Sequence, residues 1–213
     1  QSMNKNLLKS ELGIDEAGRG SILGPLVIAG VVVEQNTQQS LLELGIKDSK
    51  LFGSSLKAKK TRYQLAKRIC QICPSKIIVV TAEEVDFYVN KHSLNILEQE
   101  KAKKIIFALA ADQVVLDGLN LFKPLTSKRI RAVNKADQQF LSVAAASIVA
   151  KSERDRLFEE LIDPYFPEFG EIKGGGYANH STLKFVNWHI NNKNRLPTFY
   201  RRSYQWKYLK IKN

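Results

Sequence analysis

Apolar runs separated by turn residues predict five β-strands along this chain. Each run is short and rich in valine, isoleucine or leucine, a composition typical of strands in a sheet. The predicted strands cover residues 12–15, 26–33, 76–81, 114–117 and 129–133. Turn residues such as Pro25 and Gly118 adjoin two of these runs and indicate where a strand begins or ends.

Apolar residues spaced three and four positions apart predict helices between and after these strands. The predicted helices cover residues 56–73, 93–111, 139–161, 181–191 and 201–209, and the polar segment 35–54 is expected to be a loop with a short helical turn at 41–44. The helix over 139–161 carries small residues on one side, at 144–147, which let a helix approach a sheet closely. The order of elements predicts an α/β fold, a mixed sheet flanked by helices.

The composition excludes several classes of protein. The chain has 213 residues, of which 44% are hydrophobic and 25% charged, which is ordinary for a globular protein and argues against disorder. No apolar run reaches the roughly 18 residues of a transmembrane helix, so no membrane association is expected. The low cysteine content favours a reducing compartment, and the start of the chain lacks a secretory signal pattern, so a cytoplasmic location is expected.

Positive charge is concentrated near the end of the chain. The net charge is +12, and residues 171–213 contain nine basic residues against one acidic residue, together with eight aromatic residues. Basic residues interleaved with aromatic ones suit a nucleic-acid backbone, although packing would also explain most of these rings. We therefore expect a catalytic domain over residues 1–170 and a basic, aromatic-rich helical extension over 171–213.

Four acidic residues are the candidates for chemistry. Asp15 and Glu16 end an apolar strand, Asp117 ends another, and Asp137 precedes the helix rich in small residues. Carboxylates gathered at the ends of elements repel one another, and a divalent cation removes that penalty. Oxygen ligands without soft partners select Mg²⁺ or Mn²⁺, and two such ions are the usual machinery of phosphodiester cleavage. Taken singly, each acid has another explanation: a helix N-cap for Asp137, a turn for Asp117 and a solvated loop for the Asp15–Glu16 pair.

Other residue types give weaker signals. Cys70 and Cys73 form a C-x-x-C pattern, but no second pair of ligands accompanies them, so two small buried thiols near a helix end are expected. His92, His180 and His189 are expected to be ordinary surface histidines. The glycines at residues 18, 20 and 24 imitate a dinucleotide-binding loop, but a strand follows them where that motif requires a helix.

Several motifs resemble ribonuclease HII, the type 2 ribonuclease H. The resemblance begins with GIDEAGRG at residues 13–20 and GPLV at 24–27, and it covers nearly the whole chain. Looser matches follow in family order: KDSK at 47–50, LNIL at 94–97, LD at 116–117, KAD at 135–137, AASIVAK at 145–151, RD at 154–155, GY at 176–177 and RRS at 201–203.

This resemblance implies a ribonuclease-H-like fold with a C-terminal helical extension, and it implies roles for individual residues. Asp15, Glu16, Asp117 and Asp137 match the four acidic residues of the family, and we expect Asp15 to bridge two metal ions. Gly18, Arg19 and Gly20 match a loop that senses the 2′-hydroxyl, Tyr177 matches a tyrosine that packs on the sugar beyond the ribonucleotide, and Lys50 matches a phosphate contact.

The implied activity is that of a metal-dependent endoribonuclease. It would cleave the RNA strand of RNA–DNA hybrids and the 5′ side of ribonucleotides embedded in duplex DNA, leaving 3′-hydroxyl and 5′-phosphate ends. Two alternatives stay open: a non-catalytic nucleic-acid-binding module, and a DNA nuclease of the same fold. A monomer is the default expectation.

Overall fold

The computed structural model describes residues 9–46, 53 and 55–204, and within them the chain forms one five-stranded mixed sheet. The strands are β1 Ser10–Ala17, β2 Leu26–Glu34, β3 Ser75–Val80, β4 Gln113–Asp117 and β5 Ile130–Val133. Their order is β3-β2-β1-β4-β5, with β2 antiparallel to β1 and β3, and with β4 parallel to β1 and β5. The predicted mixed sheet is confirmed, and the predicted strand ends move by only one or two residues.

The helices of the described residues include the predicted ones over 56–73, 93–111, 139–161 and 181–191, with several additions. They are α1 Gln38–Glu43, α2 Leu56–Ile72, α3 Ala82–Lys91, α4 Leu94–Ala108, α5 Leu119–Phe122, α6 Ala136–Gln139, α7 Leu141–Ile162, α8 Phe166–Phe169 and α9 His180–Lys193, with 3₁₀ turns at Lys123–Leu125 and Asp163–Tyr165. Helix α3 and the short helices α5, α6 and α8 were not predicted from the sequence. None of these described helices has both the length and the apolar character needed to cross a lipid bilayer.

Two glycines allow helices to pack closely on both faces of the sheet. A Cβ atom on Gly13 of β1 would lie 2.2 Å from the backbone of Ser142 in α7. A Cβ atom on Gly30 of β2 would lie 2.3 Å from the side chain of Ile105 in α4. Adjacent residues of a strand point to opposite faces, and Gly30 is paired with Ile14, the neighbour of Gly13. The two layers therefore meet the central strands where no side chain intervenes, and the small residues of α7 are buried as expected.

Most of the aromatic residues near the end of the chain belong to a core. Phe185, Phe199 and Tyr200 are buried with Leu23, which follows β1, and with Phe158 near the end of α7. This cluster joins the C-terminal segment to the sheet domain and confirms that packing accounts for these rings. The division of the chain at residue 170 into two domains stays a prediction.

Three local expectations are wrong or only partly right. Residues 201–204, the described start of the helix predicted over 201–209, form a turn, because the backbone N–H of Arg201 donates to the carbonyl of Ile22 at 2.9 Å. His189 is buried, with Nδ1 2.6 Å from the carbonyl oxygen of Arg195. Of the two thiols, Cys73 is buried and Cys70 is exposed.

Candidate active site

Two parallel strands bring three of the predicted acids to one edge of the sheet. Asp15 and Glu16 lie near the carboxyl end of β1, and Asp117 is the last residue of β4. Because Ile14 is paired with Leu116 in the parallel ladder, the next residues along each strand, Asp15 and Asp117, are neighbours. The carboxyl ends of parallel strands are where α/β sheets bind their ligands.

The fourth acid reaches the same corner through a short helix. The Oδ1 atom of Asp117 accepts a hydrogen bond at 3.1 Å from the backbone N–H of Ala136, the first residue of α6. Asp137 is the next residue, in the first turn of that helix, and its charge repels Asp117. Lys135 occupies the N-cap position of α6 and Phe140 that of α7, so the capping explanation of Asp137 is wrong.

Burial and mutual repulsion make the charged form of these acids costly. The side chain of Asp15 is almost fully buried, and burial, followed by repulsion from Asp117, raises its pKa to about 6. Two residues of α7 act in the other direction: a hydrogen bond from Ser147 and the charge of Lys151 both lower the pKa of Asp15. Helix α7 therefore supplies the polar partners of the central carboxylate.

Glu16 is the least satisfied of the four acids. Burial raises its pKa well above the usual value, and the charges of Asp15, Glu98 and Asp117 add to that effect. Its Oε2 atom is buried and has no hydrogen-bond partner among the described residues. The pKa of Asp117 is also raised, first by burial and then by Asp137.

The donor chemistry of this corner fits a hard divalent cation. Every candidate ligand is a carboxylate oxygen, the negative charge is in excess, and one buried oxygen lacks a partner. Within residues 9–46, 53 and 55–204, no three histidine, cysteine, aspartate or glutamate side chains already form a closed set of ligands. The residues therefore fit a cation by charge and donor type, whereas a preformed ligand cage is absent from the described part.

A glycine loop with a constrained backbone follows the acids. Gly18 has a φ of +86°, and a Cβ atom there would lie 2.6 Å from the carbonyl oxygen of Pro25, so only glycine fits. Next to it, Nε of Arg19 lies 3.0 Å from both carboxylate oxygens of Glu98, and its Nη2 donates to Asn95 at 2.7 Å. Both partners belong to α4, so the guanidinium of Arg19 is fixed by the helix layer.

The C-terminal segment holds the same loop from the other side. The guanidinium of Arg201 is fully buried; its Nε donates to the carbonyl of Gly24 at 3.1 Å and its Nη1 to the carbonyl of Arg19 at 2.9 Å. The hydroxyl of Tyr204 also donates to the carbonyl of Arg19, at 2.6 Å. Both ends of the glycine loop are therefore fixed by residues from the end of the chain.

Helix α3 in turn fixes the C-terminal segment. The carboxylate of Asp86 accepts hydrogen bonds from the backbone N–H groups of Arg202 and Ser203, both at 2.9 Å, and from the hydroxyl of Ser203 at 2.6 Å. The unpredicted helix therefore has a direct role in arranging the site.

Tyr177 lies beside the glycine loop with its ring partly in solvent. The carbonyl of Gly176 accepts hydrogen bonds from the backbone N–H groups of Ile22 and Leu23 at 2.9 and 3.0 Å, which joins the two loops. A Cβ atom on Gly20 would lie 3.8 Å from Cε1 of Tyr177. The tyrosine is 43% exposed, so it is a surface residue next to the loop and not part of the core.

The site contains several residues that were not predicted, and one predicted contact cannot be placed in it. Lys50 lies outside the described residues. The site residues that sequence reasoning did not single out are Asp86, Glu98, Ser147, Lys151 and Arg201. The available signal was an ionisable residue at a position where a helix faces the core, as for Glu98 beside Leu97 in α4.

Comparisons with known proteins agree with one another. The family model described as ribonuclease HII matches residues 12–207. The ribonuclease HII of Cenarchaeum symbiosum is 33% identical over 202 residues, covering 91% of this chain and 94% of that protein. Among solved structures, the ribonuclease HII of Archaeoglobus fulgidus in complex with PCNA has a TM-score of 0.78 and 31% identity, covering 96% of this chain and 98% of that chain. The ribonuclease H2 of Pyrococcus horikoshii has a TM-score of 0.77 and 28% identity, covering 92% and 94%.

Proposed function

Because the chain belongs to the ribonuclease HII family, we propose that it is an endoribonuclease that cuts on the 5′ side of ribonucleotides in duplex DNA. Family membership itself makes the chain a ribonuclease H, a nuclease of RNA–DNA hybrids. The finer proposal is that it also cuts at single embedded ribonucleotides, leaves 3′-hydroxyl and 5′-phosphate ends, and uses two divalent cations.

One observation supports the cation most strongly: four acids share one corner of the sheet at a cost in electrostatic free energy. Asp15, Glu16, Asp117 and Asp137 would hold Mg²⁺ or Mn²⁺ there, since a cation removes the repulsion that raises the pKa values of the first three. When bound, two such ions supply an activated water and stabilise the leaving 3′-oxygen.

The protein's own residues orient the acids for that task. The hydrogen bond from Ser147 and the charge of Lys151 favour the ionised form of Asp15, which is the form that binds a cation. The backbone N–H of Glu16 donates to Oδ1 of Asp15 at 2.8 Å and restricts the rotation of that carboxylate.

The glycine loop and Tyr177 would supply selectivity for ribonucleotides. RNA differs from DNA at this position by a 2′-hydroxyl, which both donates and accepts hydrogen bonds, so a rigid backbone loop can detect it. Gly18, Arg19 and Gly20 form such a loop, fixed on both sides, and Tyr177 would pack on the adjacent sugar. Lys50 is proposed as a phosphate contact from the sequence alone.

The proposal is tested with three labelled duplexes: DNA with one embedded ribonucleotide, an RNA–DNA hybrid, and DNA alone. In Mg²⁺ or Mn²⁺ we expect cleavage of the first two, a product that carries a 3′-hydroxyl, and no cleavage in EDTA. Cleavage of plain DNA at a similar rate would favour the DNA nuclease. Binding without cleavage of any duplex would favour the non-catalytic module.

A further inference from the structure

A basic cavity of about 450 Å³ opens beside the proposed active site. One side is formed by Ala17, at the end of β1, and by Tyr177. Five basic residues line the rest, namely Lys59, Arg62, Lys151, Arg154 and Lys173, against two acidic ones. The cavity therefore has an excess of positive charge, and it adjoins the glycine loop, since a Cβ atom on Gly18 would lie 3.1 Å from Nε of Arg154.

Arg154 is a buried cation in this wall without an anionic partner. It is 3% exposed, and its only hydrogen bond among the described residues runs from Nη2 to the carbonyl of Leu23 at 3.0 Å. Its Nε is buried without any acceptor, and no described carboxylate forms an ion pair with it. Aromatic rings cover it instead, with the guanidinium carbon 4.7 Å from the centre of Phe158 and 5.5 Å from that of Tyr177. A buried charge without a counter-charge destabilises a fold unless a ligand supplies one.

Other cations of the same cavity do have partners in the protein. Nη2 of Arg62 lies 2.5 Å from a carboxylate oxygen of Asp155, and Nζ of Lys59 lies 2.9 Å from one of Glu159. Lys173 is exposed at the rim and forms no ion pair with a described carboxylate. Lys151 is engaged by the hydroxyl of Ser147 and the charge of Asp15, so the positive charge available to a ligand comes from Arg154 within the wall and Lys173 at the rim.

Glycine keeps the guanidinium of Arg154 accessible from the cavity. A Cβ atom on Gly175 would lie 3.0 Å from Nη1 of Arg154. A side chain at residue 175 would therefore cover Nη1 of Arg154, which forms no hydrogen bond with a described residue. Gly175 therefore leaves an open approach for a ligand oxygen.

We propose that this cavity binds a backbone phosphate through Arg154 and Lys173. The bound phosphate is the one that follows the scissile phosphate on the ribonucleotide strand. This assignment rests on the proposed function, because that function places the ribose between the scissile phosphate and the bound one, and Tyr177 against the sugar beyond it. Arginine suits the role, since its planar group donates two parallel hydrogen bonds to a phosphate. Burial lowers the pKa of Arg154 only to about 10, so the group stays charged at neutral pH.

The test replaces one phosphate at a time. Duplexes with a single ribonucleotide carry one uncharged methylphosphonate at successive positions of the cleaved strand, and wild type is compared with Lys173→Gln, Arg154→Lys and Arg154→Gln. One position next to the cut should cost wild type about tenfold in kcat/KM, the size of one charge-assisted hydrogen bond. The same replacement should cost Lys173→Gln and Arg154→Gln much less, because the contact is already lost.

Salt dependence provides a readout that a purely structural role would not change. Removing one phosphate contact should reduce the slope of log affinity against log salt by about one. Lys104→Gln is the matched control, because it removes the charge of an exposed residue of α4, in the other helix layer. It should leave the effect of each methylphosphonate unchanged. Because Lys173 is exposed, Lys173→Gln tests the cavity even if Arg154→Gln lowers the melting temperature.

Two outcomes separate this inference from the proposed function. If wild type cuts the embedded ribonucleotide but every methylphosphonate acts equally on wild type and on both charge-removing variants, the phosphate subsite is wrong and the function stands. If wild type cuts no ribonucleotide-containing duplex, the proposed function itself fails.

Discussion

The acidic corner and the glycine loop lie side by side, yet their polar groups are satisfied in opposite ways. At the corner, three carboxyl groups have raised pKa values and one buried oxygen of Glu16 has no partner. In the loop, the guanidinium of Arg19 is paired with Glu98, and the carbonyls of Arg19 and Gly24 both accept from Arg201. Of the Arg201 nitrogens, only Nη2 is buried without a partner among the described residues.

This difference indicates which part of the site depends on a ligand. The loop is held by the protein's own hydrogen bonds, so its shape is set before substrate arrives. The corner is completed only by added positive charge, so its affinity for cations comes from repulsion that folding has already imposed. Recognition is therefore tested by removing a residue that holds the loop, and catalysis by removing a carboxylate charge at the corner.

The largest expected effect is on catalysis at the corner. Asp117→Asn or Asp15→Asn should lower the cleavage rate by at least about a thousandfold at saturating Mg²⁺, because each removes a charge that holds a cation opposite the developing charge. Single-turnover cleavage of the embedded-ribonucleotide duplex measures this. Glu43→Gln, an exposed acid of α1, is the control, and near wild-type rates for Asp117→Asn would overturn the assignment.

The loop should respond to loss of its support with lower stability and lower selectivity. Arg201→Met removes the hydrogen bond to the carbonyl of Gly24 and leaves the carbonyl of Arg19 with only the hydroxyl of Tyr204. The free energy of unfolding should therefore fall by about 3 kcal/mol. The ratio of cleavage rates on the embedded ribonucleotide and on plain DNA should fall with it. Arg202→Met is the matched control because that exposed residue contributes only its backbone N–H to Asp86. Equal denaturation midpoints for the two variants would contradict the role of Arg201.

Tyr177, beside the glycine loop, is expected to have a smaller effect. Tyr177→Ala should reduce cleavage about tenfold and lower the preference for ribonucleotides, since aromatic packing on nucleic acid is worth on the order of 1–3 kcal/mol. The melting temperature should hold, because the ring is largely outside the core. Tyr177→Phe should restore the rate if the ring face makes the contact. Unchanged selectivity in the alanine variant would rule out that contact.

The smallest effect is on the stability of the metal-free protein. The pKa of Asp15 is raised from 3.8 to about 6, so its ionised form destabilises the fold above pH 6. Asp15→Asn should therefore raise the melting temperature at pH 7 by roughly 2–4 °C, the equivalent of about 1 kcal/mol. The difference from wild type should disappear as the pH falls toward 4. A lower melting temperature for the variant at pH 7 would show that Ser147 and Lys151 outweigh the burial of the charge.

The sequence was sufficient to predict the strands of the sheet and to place the acids at the ends of elements. Strand periodicity is local, and Asp15 and Asp117 each end an apolar run. The supports of the loop could not be predicted in the same way, because Arg201 and Arg19 are brought together only by the tertiary fold. Helix α3 did carry a local signal, since Thr81 caps the N–H of Glu84, but its valine and aromatic residues favour a strand on composition.

The bond between Arg201 and the carbonyl of Arg19 spans 182 residues of chain. A ribosome delivers the acids of β1 and β4 long before it delivers Arg201, and contacts between distant residues form late in folding. A nascent chain can therefore pair its strands and assemble the acidic corner while the loop still lacks its last support. Discrimination between ribose and deoxyribose is then acquired after the acidic corner has formed.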